Sequence, residues 1–203
     1  MHEAVTILMD EHRVIERVLG ALETFALGLQ GGKEVSRKDL RDFADFFRNF
    51  ADRCHHGKEE DRLFEAMKGH GFPADYGPIA VMLAEHTEGR QHVGALAALG
   101  QGTGPLSEEE KASALSHALA YVPLLRGHIL KEDNILYPMA LQAVPGAELD
   151  GLVRSYGEFE KGFMGAGEHE RLHGLARSLA ERFPPDPERM AAASSCFGCA
   201  GHV

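Results

Sequence analysis

Apolar residues recur at three-and-four spacing along most of the chain, and few stretches alternate with the period of two that a half-buried strand requires. Val5, Leu8, Met9, His12, Ile15, Leu19 and Leu22 share one broad face of a helix predicted from about Glu3 to Leu29, closed by Gly31 and Gly32. A second helix begins after Ser36, an N-cap with Asp39 three positions on, and runs through Leu40, Phe43, Phe47, Phe50 and Cys54 to about Lys68. After a loop from Gly69 to Pro73, a third opens near Pro78 and reaches about Leu99, before Gly100, Gly102, Gly104 and Pro105. A fourth starts at the capping box Ser107-Glu108-Glu109-Glu110 and runs to about Val144, with Pro123 expected to kink it. Four long helices on short connections predict an all-α fold, an up-down-up-down four-helix bundle over residues 1–145. Residues 146–203 read as a C-terminal extension. Its helical patterns span about Ala147 to Lys161 and Glu168 to Phe183, and an irregular tail follows Pro184 and Pro185.

Composition narrows the function. Among 203 residues, 44% hydrophobic and 26% charged is enough apolar material for a globular core. The net charge of −10 disfavours a general nucleic-acid binder, because phosphate binding wants a basic face. No stretch reaches the roughly 18–20 apolar residues of a membrane span, and the first residues meet acids and histidines too early for a secretory signal. Three cysteines, an odd number, do not make a simple disulfide framework, so a reducing cytoplasm is expected. The 12 histidines are many for this length, and their positions matter more than their number.

The histidines belong to an internal repeat. Met9-Asp10-Glu11-His12 matches Met82-Leu83-Ala84-Glu85-His86 in its Met and Glu-His. The segment from His55 to Phe64 matches that from His128 to Tyr137: His, three residues, Glu, an acid, two residues, Leu, an aromatic. His12 precedes His55 by almost the same stretch of chain as His86 precedes His128. Residues i and i+4 stack on one helix face, so each His-x3-Glu aims an imidazole and a carboxylate the same way. Facing a common axis, His12, His55, His86 and His128 converge with Glu59 and Glu132. Carboxylates in a bundle core need a cation, and the ligand number suits two metal ions. Mixed nitrogen and oxygen donors point to iron, with manganese or zinc as alternatives. His56 with Glu60 is an equally spaced competitor for His55 with Glu59, and Asp133 competes with Glu132. Alignment of the two repeats favours His55, Glu59 and Glu132.

These residues resemble the hemerythrin-like (HHE cation-binding) family. Its pattern of His, His-x3-Glu, His, His-x3-Glu is matched by His12, His55 with Glu59, His86, and His128 with Glu132, within about residues 1–145. The resemblance implies a four-helix bundle with a non-haem di-iron centre, the irons bridged by oxygen and by both glutamates. Oxygen-carrying members have a further histidine where this chain has Arg90, and an aspartate where Asp133 stands beside Glu132. The missing nitrogen opens the irons to small ligands or leaves a gap for another side chain. That speaks against reversible oxygen carriage and for redox chemistry with oxygen, peroxide or nitric oxide.

Other residues carry weaker expectations. Tyr121, seven residues before His128, is placed to contact a bound ligand or the metal, or to be a core tyrosine. Glu11, Glu85, Lys58 and Lys131 are expected at the surface, because neighbours in a helix point apart. His169 and His173 with Cys196-x2-Cys199 make a conceivable second, zinc-like site, and the two cysteines alone a redox dithiol. Cys54 is expected to be a buried packing thiol. Three functions remain open: a redox protein consuming oxygen, peroxide or nitric oxide with an unnamed electron donor; an oxygen or redox sensor or carrier; and a structural zinc or iron protein. Self-association is left open.

Overall fold

The computed structural model describes residues 1–165 and 167–195 and is helical throughout, with no strand among them. Helix α1 spans Glu3–Gln30. Helix α2 (Arg37–Phe46) starts at the Ser36–Asp39 capping box and continues without a break into wide π-helical turns over Phe47–His56 and Glu59–Leu63, then into α3 (Phe64–Gly69). Helix α4 covers Gly77–Gln101. Helix α5 (Glu108–Lys131) begins at the Ser107–Glu110 capping box, runs through Pro123, and passes by a π turn over Glu132–Leu136 into α6 (Tyr137–Ala143). The extension adds α7 (Gly146–Met164), α8 (Glu168–Arg182) and α9 (Pro187–Ser195). The tail expected to be irregular is thus helical over α9: the prolines end α8 and Pro187 starts a new helix, a position where proline is tolerated. No helix among the described residues is long and apolar enough to cross a membrane.

Helix α1 packs on α5, α4 packs on α5 and on α2, and α7 and α8 lie against α1 and the helical run after α2. Two apolar clusters fill the interior. One gathers Ile15, Leu22, Phe25, Phe43, Phe47, Leu96 and Leu125 with Leu172 and Leu179 of α8. The other gathers Val5, Leu8, Leu63, Phe64, Met82 and Tyr137 with Leu149, Leu152 and Tyr156 of α7. Between them lies a polar layer. His12, His55, Glu59, His86, His128 and Glu132 are each at most 1% exposed. The apolar clusters above and below hold the side chains of that layer in place.

Candidate metal centre

The structure brings all six expected residues to one place. His12 Nε2 lies 2.9 Å from His55 Nε2, and His86 Nε2 lies 3.0 Å from His128 Nε2. The two glutamates sit between these pairs. One oxygen of Glu132 is 3.2 Å from His12 Nε2 and the other 3.0 Å from His128 Nε2. Glu59 Oε2 is 3.7 Å from His55 Nε2 and 3.6 Å from His86 Nε2. Each carboxylate therefore reaches both pairs. Two sets of side chains have ligand atoms all within 4.8 Å of one another: His12, His55, Glu59 and Glu132, and His56, Glu59, His86 and His128.

The outward nitrogens follow one rule. His12 Nδ1 meets Asp133 at 2.7 Å, which also takes Arg13. His55 Nδ1 meets Glu11 at 2.9 Å, which takes Lys58. His86 Nδ1 meets Glu60 at 2.6 Å, which takes Arg90 at 2.7 Å. His128 Nδ1 meets Glu85 at 2.9 Å, which takes Lys131. Every imidazole is thus oriented by a carboxylate, and every such carboxylate is held by a cation. Outer carboxylates of this kind fix the tautomer of a metal-binding histidine and raise its basicity.

This arrangement corrects the surface assignment of Glu11 and Lys58, and ties the partly exposed Glu85 and Lys131 to His128. Each glutamate does point away from its neighbouring histidine, but toward the histidine of the adjacent helix rather than to water. Glu11 is 7% exposed and Lys58 fully buried. The competitors Glu60 and Asp133 also find their place here, as the carboxylates behind His86 and His12.

His56 is the residue on which the sequence reading was incomplete. It competes with nothing: both His55 and His56 are buried. The π turns over Phe47–His56 rotate the side chains relative to a regular α-helix and bring two consecutive imidazoles inward. The His56 ring stacks on His86 at 3.8 Å, and neither of its nitrogens has a hydrogen-bond partner. Its nearest carboxylate, Asp52, is 3.6 Å away. Tyr137 is the second addition. Its hydroxyl donates to Glu59 at 2.6 Å and lies 3.4 Å from His12 Nε2, while its ring stacks on His12. The sequence signal was the repeat itself, which puts a hydroxyl-bearing ring where the first copy has Phe64. Tyr121 is buried among Phe47 and the cavity beside His56, and burial pushes its phenol up.

Protonation tells what the centre lacks. Burial drives His55 and His86 well down, helped by the imidazoles beside them, His12 and His56 respectively. Burial also opposes charge on His12 and His128, but Asp133 and Glu132 hold His12 up, and Glu132 and Glu85 raise His128 to about 9. Burial and the neighbouring Glu132 push Glu59 well up, whereas His128 and His12 outweigh burial at Glu132 and pull it down. Protons thus stand in for cations. Even so, among the described residues Glu59 Oε2 has no hydrogen-bond partner, and Glu132 meets only the imidazoles of His12 and His128, as close ion pairs. An unpaired buried carboxylate oxygen costs on the order of several kcal/mol, and a set of inward nitrogens and carboxylate oxygens at this spacing is the chemistry of a metal site. The residues fit such an ion pair.

Glu11, Glu160 and His169 converge, but Lys58 Nζ already donates to Glu11 and, at 2.7 Å, to Glu160. His169 and His173 pack together against Phe50. Cys196 and Cys199 lie outside the described residues. Cys54 is buried, and burial pushes its thiol up to about 12, which suits a packing thiol.

A family profile described as the Hemerythrin HHE cation binding domain matches residues 3–140. Uncharacterized proteins of Mycobacterium tuberculosis and Mycobacterium bovis are each 21% identical to the chain over 153 residues, which is 75% of this chain and 59% of theirs. The chain therefore spans under two thirds of the length of these relatives. No solved structure matches.

Proposed function

The chain belongs to the hemerythrin HHE cation-binding family, and from that premise we propose that the buried layer holds two iron ions and reacts with oxygen, peroxide or nitric oxide. Residues 3–140 supply the up-down-up-down bundle, and the extension packs outside it. His12 and His55 serve one ion. His86 and His128, joined by His56, serve the other. Glu59 and Glu132, each within reach of both histidine pairs, would supply carboxylate oxygens to both ions. Zinc would fit the same donors but is redox-inert; manganese would fit them and is redox-active, and metal analysis separates it from iron. Two ions would supply electrons and an open coordination position for a small ligand. The protein's own part is to orient five imidazoles, to bring the Tyr137 hydroxyl to Glu59, and to exclude bulk water. The observation that carries the reading is the posture of the two buried glutamates, each within reach of both histidine pairs.

Metal analysis and an optical spectrum of anaerobically iron-loaded protein test it. The expected result is about two irons per chain, with near-ultraviolet bands that change on adding air, peroxide or nitric oxide, and loss of iron in Glu132→Ala. One zinc per chain, or no metal, overturns the redox reading. Repeated turnover marks an enzyme, and a stable reversible adduct marks a carrier. A sensor reading has one specific support: Glu160 of α7 reaches the ion pair behind His55 through Lys58. It requires that residues of α7 change in hydrogen exchange when the iron is oxidised.

A further inference from the structure

The four repeat histidines meet in pairs across helices, nitrogen to nitrogen, at 2.9 and 3.0 Å. A third pair of the same spacing lies outside the centre. His92 of α4 and His117 of α5 face each other with their Nδ1 atoms 3.0 Å apart and their ring centroids 5.3 Å apart. Neither belongs to the repeated motifs. Among the described residues no carboxylate hydrogen-bonds either Nδ1. Glu88, one turn before His92, stands 4.0 Å from the opposite nitrogen, His92 Nε2. That is the side on which the centre places its outer carboxylates. Burial and the facing His117 hold His92 below its usual value, so it is neutral at pH 7 and has a lone pair to share.

Two neutral imidazoles so placed can be satisfied in two ways. In one, the Nδ1–H of one ring donates to Nδ1 of the other. In the other, both rings carry their proton on Nε2 and both Nδ1 lone pairs point at one spot. Facing lone pairs repel, so that state needs a cation between them. Nitrogens bound at about 2.0–2.1 Å to a tetrahedral ion lie about 3.3 Å apart. The rings therefore need to open by only a few tenths of an ångström.

We propose that His92 and His117 form a separate binding site for one divalent ion of the zinc and copper class, held through both Nδ1 atoms. Water completes the coordination, because the His92 side chain is 17% exposed and His117 is half-buried. The donor set selects the metal. Imidazole suits zinc, copper and nickel, whereas magnesium, calcium and manganese prefer carboxylate oxygens, which are missing between these two nitrogens. Iron(II) binds nitrogen sites more weakly than copper(II) or zinc(II). The pair and the centre thus sort metals differently: the glutamates of the centre suit a harder ion. The outer ion ties α4 to α5 beside Tyr121, whose ring lies 6.4 Å from that of His92. None of this depends on what the centre holds.

Equilibrium dialysis of the iron-loaded full chain against zinc(II), with iron counted alongside, tests the site. Wild type is expected to hold about one zinc more than His92→Gln or His117→Gln, with equal iron in all three. The double variant loses no more than either single variant, because two rings serve one ion. A second measurement needs no variant. In wild type, zinc is expected to protect His92 and His117 from diethyl pyrocarbonate, read by peptide mass spectrometry, while the exposed His70 stays reactive. Magnesium is expected to protect neither. Equal zinc in wild type and both variants overturns the proposal. So do losses that add in the double variant, and unchanged modification of His92 and His117 with zinc present.

Discussion

Lys58 and Lys131 hold equivalent places in the two copies of the repeat, each three residues after a histidine and each donating to the glutamate behind it. Their surroundings differ. Lys58 is fully buried and is also bound by Glu160 of α7, while the side chain of Lys131 is 31% exposed and has no second carboxylate among the described residues. The same contrast runs through the whole centre. The His12–His55 end is covered by α7 and α8 and by the Tyr137 ring. The His86–His128 end meets a cavity and gains His56. Gly57, whose missing Cβ would stand 2.6 Å from the Phe159 ring, lets α7 sit directly on the π turns at the covered end. Matching motifs thus produce matching ligand frames, and access is decided by what is packed on the outside.

The comparison breaks most readily at the lysines. Lys58→Ala leaves Glu11 and Glu160 facing each other without a cation, and loss of one partner of a buried pair costs about 3–5 kcal/mol. Lys131→Ala removes a half-exposed pair worth about 1 kcal/mol or less. Urea unfolding of the two variants is expected to show that gap. Equal losses would mean that α7 does not seal its end.

The four outer carboxylates sharpen it next. Glu11→Gln, Glu85→Gln, Glu60→Gln and Asp133→Asn each remove the charge that orients one imidazole, which lowers metal affinity by about 10–100-fold. Competition with a chelator reads this. Similar losses at all four positions show that the ligand frame is symmetric despite its asymmetric cover.

The smallest effect is a pH dependence of the metal-free chain. His128, raised from 6.5 to about 9, contributes stability that is full below pH 6.5 and is lost as the pH climbs through about 9. His12 acts in the same direction. His55 and His86, held well below 6.5, act in the opposite sense and withdraw stability as the pH falls below 6.5. The urea midpoint should therefore decline on both sides of neutrality, and His128→Gln should flatten the alkaline side. Metal loading should remove the decline and release protons, since His128, raised to about 9, holds a proton where an ion would stand.

The helices were legible in the sequence because they are local. Apolar spacing, two capping boxes and glycine stops placed the first four to within a few residues. The six inward residues were legible because the repeat states them twice. The surroundings were not. The roles of Glu60 and Asp133 looked like competing registers, because spacing along one helix cannot say which neighbouring helix a side chain meets. Tyr121 stood out because it is a helical step before His128, yet Tyr137 is the phenol that touches Glu59.

By itself the sequence determined an all-helical chain of the hemerythrin family, with four histidines and two glutamates of common purpose. Only the tertiary structure decided the rest. The π turns, which no propensity signals, brought His56 inward beside His55. Among the described residues, α7 and α8 pack on one side and no such helix covers the cavity beside α4 and α5, which makes one end of a symmetric frame closed and the other open. Ligand positions follow from periodicity along a single helix, whereas burial and access are properties of contacts between segments far apart in the chain.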